Sequence, residues 1–365
     1  MVNFKPTEEQ ELIRETMAGF AREVLRPQAR EADERGAVPP AIVERGWELG
    51  LVQNSIPEAF GGYGNGRSAV RSAIKLEELA YGDLALALHL LTPRLLTIPL
   101  LVAGTDAQGE RWLPRFTRDR FAVGTAAFSE PRWDFDPSAF ATTAARQGGD
   151  YVLTGQKCLV PLARQAEAIL VYAAAPDGPA AFVVEPTAKG LAIGEREQNM
   201  GIKALDTYPL TLDGVRVPAG NRLGGEGPGT DVQPLLDAGR AAVAALAVGL
   251  ARAAFDHARD YAKERQAFGM PIARKQAIAF KLADMAIEID AMRLVAWEAA
   301  WKLDKGETAT RECALAKHYA GQSALTVADN ALQVLGGHGY IRDHPVELWL
   351  RNARGLAVFD GLAIV

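Results

Sequence analysis

The segment AILVYAAAPDGPAAFVV, residues 168–184, decides the fold class of this chain. Two short apolar runs, Ala168–Ala173 and Ala180–Val184, flank the turn signal Pro176-Asp177-Gly178. Short apolar runs joined by such a turn are typical of paired, buried strands. Because the sequence on both sides has helical periodicity, this segment predicts an all-β domain inserted between two helical domains.

Helical patterns precede the predicted β domain. Residues Thr7–Gln10 read Thr-Glu-Glu-Gln, which is the form of a capping box, and apolar residues follow at helical spacing through Val24. From about residue 40 to residue 115 the chain is rich in leucine and alanine, with breaks at 57–66 and 104–108. We therefore predict an amino-terminal α-helical domain over residues 1–120 and the β domain over residues 121–222.

Three long helical patterns follow the β domain and define a predicted α-helical bundle over residues 223–365. The most apolar stretch, Ala241–Ala251, lies between Arg240 and Arg252. It is well short of the roughly 20 residues that a membrane span requires, so it predicts a buried helix and no membrane span. The predicted fold class is α+β and mainly α, with the domains in the order α, β, α.

Composition excludes several classes of function. The chain has 365 residues, of which 48% are hydrophobic and 23% are charged, so it can bury a large core. A net charge of −5 with interspersed lysines and arginines argues against a nucleic-acid partner. The two cysteines, Cys158 and Cys313, and the spacing of His338 and His344 favour neither a disulfide nor a metal site. Residues 1–10 are polar, which predicts a cytoplasmic protein.

Two stretches are rich in glycine, 61–66 and 224–229. Neither has the spacing of a dinucleotide-binding fingerprint or of a P-loop, and we predict that both are loops. If a dinucleotide binds, it binds without a βαβ unit.

Several motifs, in order along nearly the whole chain, resemble those of the acyl-CoA dehydrogenase family. They are GIK at 201–203, VRVP at 215–218, ERQAFG at 264–269 and QVLGGHGY at 333–340. The resemblance implies a central β-barrel-like domain, a carboxy-terminal four-helix bundle and a homo- or hetero-tetramer. It also implies FAD as cofactor, with its adenine end reaching a neighbouring subunit, and electron-transfer flavoprotein as the electron acceptor.

The resemblance also implies which residues contact FAD. An arginine at the end of a long helix suits the anionic pyrophosphate, although a surface salt bridge is an alternative role. Glutamine amides suit the polar atoms of the cofactor, and paired glycines allow its close approach, although glycine also ends helices. The predicted cofactor-binding residues are Ser129, Arg265, Phe268, Gln276, Gln333, Gly336 and Gly337.

By the same resemblance, Asp360 is the catalytic base. It occupies the position where members commonly carry the glutamate that removes the proton α to the thioester carbonyl, and Gly239, at the alternative position, has no side chain to serve. Aspartate is shorter by about 1 Å, which can cost roughly a hundredfold in rate. A helix-end aspartate without catalytic duty is the alternative. Arg240 is implied at the mouth of the acyl cavity as a substrate-binding residue, with a solvated surface charge as its alternative.

Two segments depart from the family pattern. Arg132, Trp133 and Phe135 stand where small residues are usual, which predicts a narrowed entrance for CoA. Pro161 stands where a threonine is usual and offers the flavin neither a hydroxyl nor an N–H. The predicted function is an FAD-dependent acyl-CoA dehydrogenase that forms a 2,3-double bond. The alternatives are a catalytically weakened partner subunit of a hetero-oligomer, or a flavin oxidase or monooxygenase.

Overall fold

The computed structural model describes residues 5–64, 66–225 and 231–365. Helices form the amino-terminal part, and Thr7 caps the first of them in the predicted capping box with Gln10. A π-helical turn, Ala21–Leu25, continues into the second helix. The helices of this part are α1 (Glu8–Phe20), α2 (Arg26–Arg35), α3 (Pro40–Glu48), α4 (Ala69–Gly82), α5 (Leu84–Leu91), α6 (Arg94–Ala103) and α7 (Asp106–Trp112).

The central part is one seven-stranded sheet in the order β1-β4-β2-β3-β7-β6, with β5 paired to β4. The segment 168–184 forms the antiparallel β4–β5 pair, as predicted. The expected barrel is wrong in detail, because β1 and β6 are edge strands and no pairing among the described residues closes the sheet. The strands are β1 (Val123–Ala127), β2 (Thr143–Gln147), β3 (Asp150–Pro161), β4 (Ala166–Ala175), β5 (Gly178–Val184), β6 (Leu191–Ile193) and β7 (Thr207–Pro218).

The carboxy-terminal part contains the three predicted long helices and a shorter fourth one, which packs against the first and the third. A small hairpin of β8 (Gln266–Ala267) and β9 (Met270–Pro271) joins the first two long helices. The mainly helical, three-part fold class is therefore confirmed. The helices are α8 (Gln233–Glu264), α9 (Gln276–Asp304), α10 (Thr310–Leu335), the single turn α11 (Gly337–Tyr340) and α12 (Val346–Leu356).

Helix α8 is the centre of the molecule. By length and composition it could cross a membrane, but 78% of its apolar window is buried inside the fold. Every residue of Ala241–Ala251 is buried, as the sequence predicts for a core helix. Of the two glycine-rich stretches, residues 226–229 lie outside the described part of the chain.

Buried ion pairs join α8 to its neighbours. Arg252 on α8 contacts Glu78 and lies 2.8 Å from Glu77, and both acids are on α4. Arg293 on α9 lies 2.9 Å from the same Glu77. These pairs fix the helical bundle against the amino-terminal helices, because removing one partner would leave an uncompensated buried charge.

Gly249 marks the closest approach of α8 to α4, and we expect Gly249→Ala to lower the free energy of unfolding by about 3 kcal/mol. A Cβ atom there would lie 2.0 Å from the carbonyl oxygen of Glu77, so one helix must move. Gly19→Ala is the matched control, because no atom lies within 4 Å of its Cβ position on α1, and it should stabilise by up to about 1 kcal/mol. Urea denaturation of both variants checks the prediction, and equal effects would contradict it.

His89 on α5 makes stability depend on pH. It is buried and stacks on Phe121 with ring centroids 5.7 Å apart, and burial lowers its pKa to about 4. The unfolded chain takes up this proton near pH 6.5, whereas the folded chain does not, so stability falls as pH drops below about 6.5. We expect this group alone to cost about 2 kcal/mol between pH 7 and pH 5.

Urea denaturation at those two pH values tests the His89 prediction. His89→Leu should remove that part of the pH dependence, whereas His318→Leu, which alters an exposed histidine, should retain it. An unchanged pH dependence in His89→Leu would contradict the assignment.

Candidate active site

Asp360 lies in the loop that follows α12, and two side chains hold it in place. Its carboxylate Oδ2 lies 2.6 Å from Nζ of Lys317 on α10, with the two side chains 18% and 15% exposed. Its backbone carbonyl accepts a hydrogen bond from the Ser129 hydroxyl at 3.1 Å. Gly361 comes next, with a φ of 76°, and a Cβ there would lie 2.4 Å from Phe128. The loop is therefore tightly packed against the end of β1.

An apolar cavity of about 20 Å³ lies beside Asp360. Its walls come from α6, the edge of the sheet, the first turns of α8 and the segment after Asp360. Gly239 faces it, as expected for the position that has no side chain to serve as base. The lining residues are Leu95, Ala126, Phe128, Tyr172, Leu235, Leu236, Gly239, Asp360, Gly361, Ala363 and Ile364.

Aromatic side chains form the sheet-side wall of this cavity. The Phe128 ring lies 5.0 Å from that of Tyr172 in an edge arrangement, and Phe135 and Phe140 pack around the pair. Burial raises the pKa of the Tyr172 phenol, so it stays protonated. Its hydroxyl makes no hydrogen bond within the described ranges, so it remains available to a substrate.

A second, basic pocket of about 230 Å³ adjoins the other side of Lys317. Arg240, Lys317 and His318 supply its polar groups, together with Gln322. Arg240 makes no ion pair or hydrogen bond with any described side chain, which leaves its guanidinium available to an anionic ligand. The predicted substrate-binding arginine therefore shares a pocket with Lys317, the ion-pair partner of the predicted base.

The expected narrowing of the entrance by Arg132, Trp133 and Phe135 holds only in part. Trp133 is 97% exposed and does not enter the cavity. The Arg132 guanidinium donates to the Ala139 carbonyl at 2.8 Å, which closes the loop on itself and leaves Trp133 at its tip. Phe135 alone turns inward, against Phe128.

The strand end at Leu159–Pro161 carries little hydrogen-bonding capacity. Leu159 has a φ of 54°, and its N–H donates to the Glu197 carboxylate at 3.1 Å. The Pro161 carbonyl accepts from the Thr125 hydroxyl at 2.6 Å. The polar groups of this segment are thus used inside the chain.

The other predicted cofactor-binding residues lie at the opposite end of the helical bundle. Arg265 is the residue that ends α8, Gln276 begins α9, and Gln333 lies in the last turn of α10. All three side chains are exposed, and none has a hydrogen-bond partner within the described chain. Phe268, at the tip of the β8–β9 hairpin, is 91% exposed.

Glycine at positions 336 and 337 has a different explanation at each position. Gly336 has a φ of 60° and a ψ of −131°, which favours glycine whatever surrounds it. Gly337 has no such constraint, and a Cβ there would meet no atom within 4 Å. Packing inside this chain therefore does not require glycine at 337. The free guanidinium of Arg265 suits the diphosphate of FAD, and the free side-chain amides of Gln276 and Gln333 suit its adenine end. The turn at Gly336 and Gly337 has no side chains that would keep the cofactor away.

Within one chain, the residues around Asp360 lie far from the predicted FAD-binding residues at the other end of the helical bundle. Arg265 lies 26 residues beyond Gly239, which faces the cavity with Asp360, and this separation is about 39 Å along α8. Gln333 lies 16 residues beyond Lys317, or about 24 Å along α10.

Three histidines and a tyrosine lie behind the glycine turn. His257 Nε2 contacts His344 Nδ1 at 3.1 Å, and the Tyr261 hydroxyl contacts His338 Nδ1 at 2.8 Å. Burial, and next the positive potential of His344, lower the pKa of His257, which favours a neutral His257. Across residues 5–64, 66–225 and 231–365, no group of three or more ligating side chains could hold a metal ion.

Comparison with known proteins decides the family. Family models for the acyl-CoA dehydrogenase N-terminal, middle and C-terminal domains match residues 7–120, 125–215 and 228–363. The chain is 36% identical to the mitochondrial short-chain specific acyl-CoA dehydrogenase of Bos taurus, covering 97% of this chain and 87% of that protein. It is 35% identical to the 3-(aryl)acrylate reductase of Clostridium sporogenes, covering 98% and 96%.

Among solved structures, the butyryl-CoA dehydrogenase of Megasphaera elsdenii superposes with a TM-score of 0.90 at 32% identity, covering 99% of this chain and 96% of that one. The chain belongs to the acyl-CoA dehydrogenase family. The resemblance noted in the sequence motifs is thus confirmed.

Within the acyl-CoA dehydrogenase fold, sequence reading missed two features of the site. Lys317, which contacts Asp360, lies in the middle of a long helix and belongs to none of the motifs at 201–218, 264–269 or 333–340. Tyr172 lies in the apolar run 168–173, where the pattern predicts a core residue and nothing marks it as part of a site. Neither has a local sequence signal, because both contacts depend on tertiary structure.

Proposed function

We propose that this acyl-CoA dehydrogenase oxidises an acyl-CoA thioester to the 2,3-enoyl-CoA, with FAD as cofactor. The observation that carries the proposal is the Asp360 carboxylate, held by Lys317 against an apolar cavity. Asp360 takes the proton from C2 of the acyl group, so that the C2–H bond breaks and an O–H bond forms on its carboxylate. Bound FAD would supply the acceptor for the hydride that leaves C3.

The cavity supports a short acyl chain as substrate. Its volume of about 20 Å³ is small, which favours a short acyl chain over a long one. Leu95, Leu235 and Leu236 supply aliphatic walls, and Arg240 lies on the basic side, where the anionic CoA moiety is proposed to approach. The unengaged Tyr172 hydroxyl offers a hydrogen bond to a polar atom of the acyl group.

FAD is proposed to bind across two chains. Ser129 lies at the end near Asp360, and Arg265, Phe268, Gln276, Gln333, Gly336 and Gly337 lie at the far end of the bundle. Arg265 lies about 39 Å along α8 from Gly239, and Gln333 lies about 24 Å along α10 from Lys317, which supports an adenine site supplied by a neighbouring subunit. The free polar side chains at that end support the same arrangement.

An exposed apolar stripe on α9 supports the proposed tetramer. Phe280, Ile287, Leu294 and Trp301 recur every seven residues, and all four are exposed. A seven-residue apolar repeat on a helix surface suits packing against another helix, and a second copy of the same chain supplies one. We propose that the chain assembles as a homotetramer in the cytoplasm. We also propose that electron-transfer flavoprotein reoxidises its reduced flavin.

A flavin oxidase is the second candidate, and Pro161 is the observation that favours it. Proline removes a hydrogen-bond donor from the strand end nearest the proposed flavin ring, which changes how the protein tunes the flavin. The weakened partner subunit predicted as a further alternative would require Asp360 to be inactive, and it would form no enoyl-CoA on its own.

Product analysis separates these candidates. Purified holoenzyme is incubated with butyryl-CoA and an artificial one-electron acceptor under nitrogen, and the products are identified by mass spectrometry. A dehydrogenase yields the 2,3-enoyl-CoA without oxygen. Product formation that needs oxygen and releases hydrogen peroxide would establish the oxidase instead, and no product under either condition would contradict both.

A further inference from the structure

Lys317 is the group that faces the proposed base from the polar side. It lies on α10, and its Nζ approaches Asp360 Oδ2 at 2.6 Å. Lys317 pairs with no other acid in the part of the chain that the structure describes, and Asp360 pairs with no other base. The contact is therefore exclusive, and both side chains are largely shielded from water.

The pair separates the two cavities. Asp360 lines the apolar cavity, and Lys317 lines the basic pocket with Arg240 and His318. Lys317 engages one carboxylate oxygen, Oδ2, and no described residue pairs with the other oxygen, Oδ1. The backbone of Asp360 is fixed separately, by the Ser129 hydroxyl.

We propose that Lys317 is a positioning residue that keeps the Oδ1 atom of Asp360 directed at C2 of the acyl group. The inference rests on the proposed function of Asp360 as the base. The proton passes from C2 to Oδ1, while Lys317 keeps its own protons and its contact with Oδ2. An aspartate is about 1 Å shorter than a glutamate, so it depends more on such a hold, and a misplacement of that size costs roughly a hundredfold in rate.

Replacing Lys317 tests the proposal. Lys317→Met should lower kcat about a hundredfold with KM little changed, and should increase the kinetic isotope effect of substrate deuterated at C2. Lys317→Arg should keep kcat within about tenfold of the wild type, because it retains a cation on the same helix. Lys302→Met is the control, because it removes a 2.8 Å ion pair with Glu312 elsewhere in the bundle. Wild-type kcat and isotope effect in Lys317→Met would overturn the proposal.

A second measurement needs no substrate and separates this inference from the proposed function. In a double-mutant cycle, Lys317→Met and Asp360→Ala, which removes both carboxylate oxygens, should shift the urea midpoint non-additively, with the double variant more stable than the sum of the two single shifts predicts. Additive shifts would overturn the positioning contact, even if the enzyme is active. A non-additive cycle in a protein that forms no enoyl-CoA would contradict only the proposed function. If Lys317→Met does not fold, Lys317→Gln takes its place in both experiments.

Discussion

Replacing Asp360 with asparagine is expected to lower kcat for the oxidation of butyryl-CoA by about 10³-fold, the largest effect of any single substitution in the proposed site. Asparagine preserves the shape of the side chain but cannot take the proton from C2. It also keeps an oxygen that can accept from Lys317, so the loop against Phe128 should stay packed. Steady-state assays with an artificial acceptor measure the effect, and FAD content is recorded in parallel.

Asp119→Asn is the matched control for this substitution. Asp119 is exposed, and no ion pair joins it to any described residue. Its replacement should leave kcat and FAD content at wild-type values. If Asp360→Asn retains wild-type turnover with full FAD content, Asp360 is not the base, and the helix-end aspartate without catalytic duty is the correct alternative.

Arg265→Glu is expected to abolish activity for a different reason, namely loss of FAD. The substitution places a carboxylate where the cofactor's pyrophosphate is proposed to lie, so the charges repel. The purified variant should lose most of its FAD and its turnover. Arg22→Glu, which reverses an exposed charge on the π-helical turn after α1, is the control and should retain both FAD and turnover.

Mixing the two inactive variants tests whether the site crosses between chains. If Asp360 of one subunit works with Arg265 of another, a mixed dimer has one doubly defective site and one intact site. Random mixing then restores about a quarter of wild-type activity, since half the dimers are mixed and half their sites are intact. Co-expression of the two variants at equal levels, followed by assay of all purified oligomers together, measures this. Complete absence of activity in the mixed dimers would contradict the two-chain site.

The fold was predictable where signals are local. The Pro176-Asp177-Gly178 turn between two apolar runs identified the β4–β5 pair, and the Thr7 capping box identified the start of α1. Closure of the sheet is different, because it depends on which distant strands pair. The barrel implied by family resemblance is accordingly an open sheet ending at β1 and β6.

The site was predictable only where its residues belong to local sequence motifs. Motifs at 264–269 and 333–340 pointed to exposed, unengaged polar groups, and their assignment to FAD remains a prediction. Lys317 lies 43 residues before Asp360, and only the packing of α10 against the last loop brings the two together. Bulk at Trp133 suggested a narrowed entrance, but that side chain is 97% exposed.

One measurement tests the central claim most directly, which is that this chain uses Asp360 to begin the oxidation of an acyl-CoA. Holoenzyme is mixed anaerobically with one equivalent of butyryl-CoA, and the visible absorption of the oxidised flavin is followed. We expect rapid bleaching in the wild type and in Asp119→Asn, and bleaching slowed about 10³-fold in Asp360→Asn. A wild-type protein that binds FAD and retains its full visible absorption with butyryl-CoA and with other short acyl-CoA thioesters would contradict the claim.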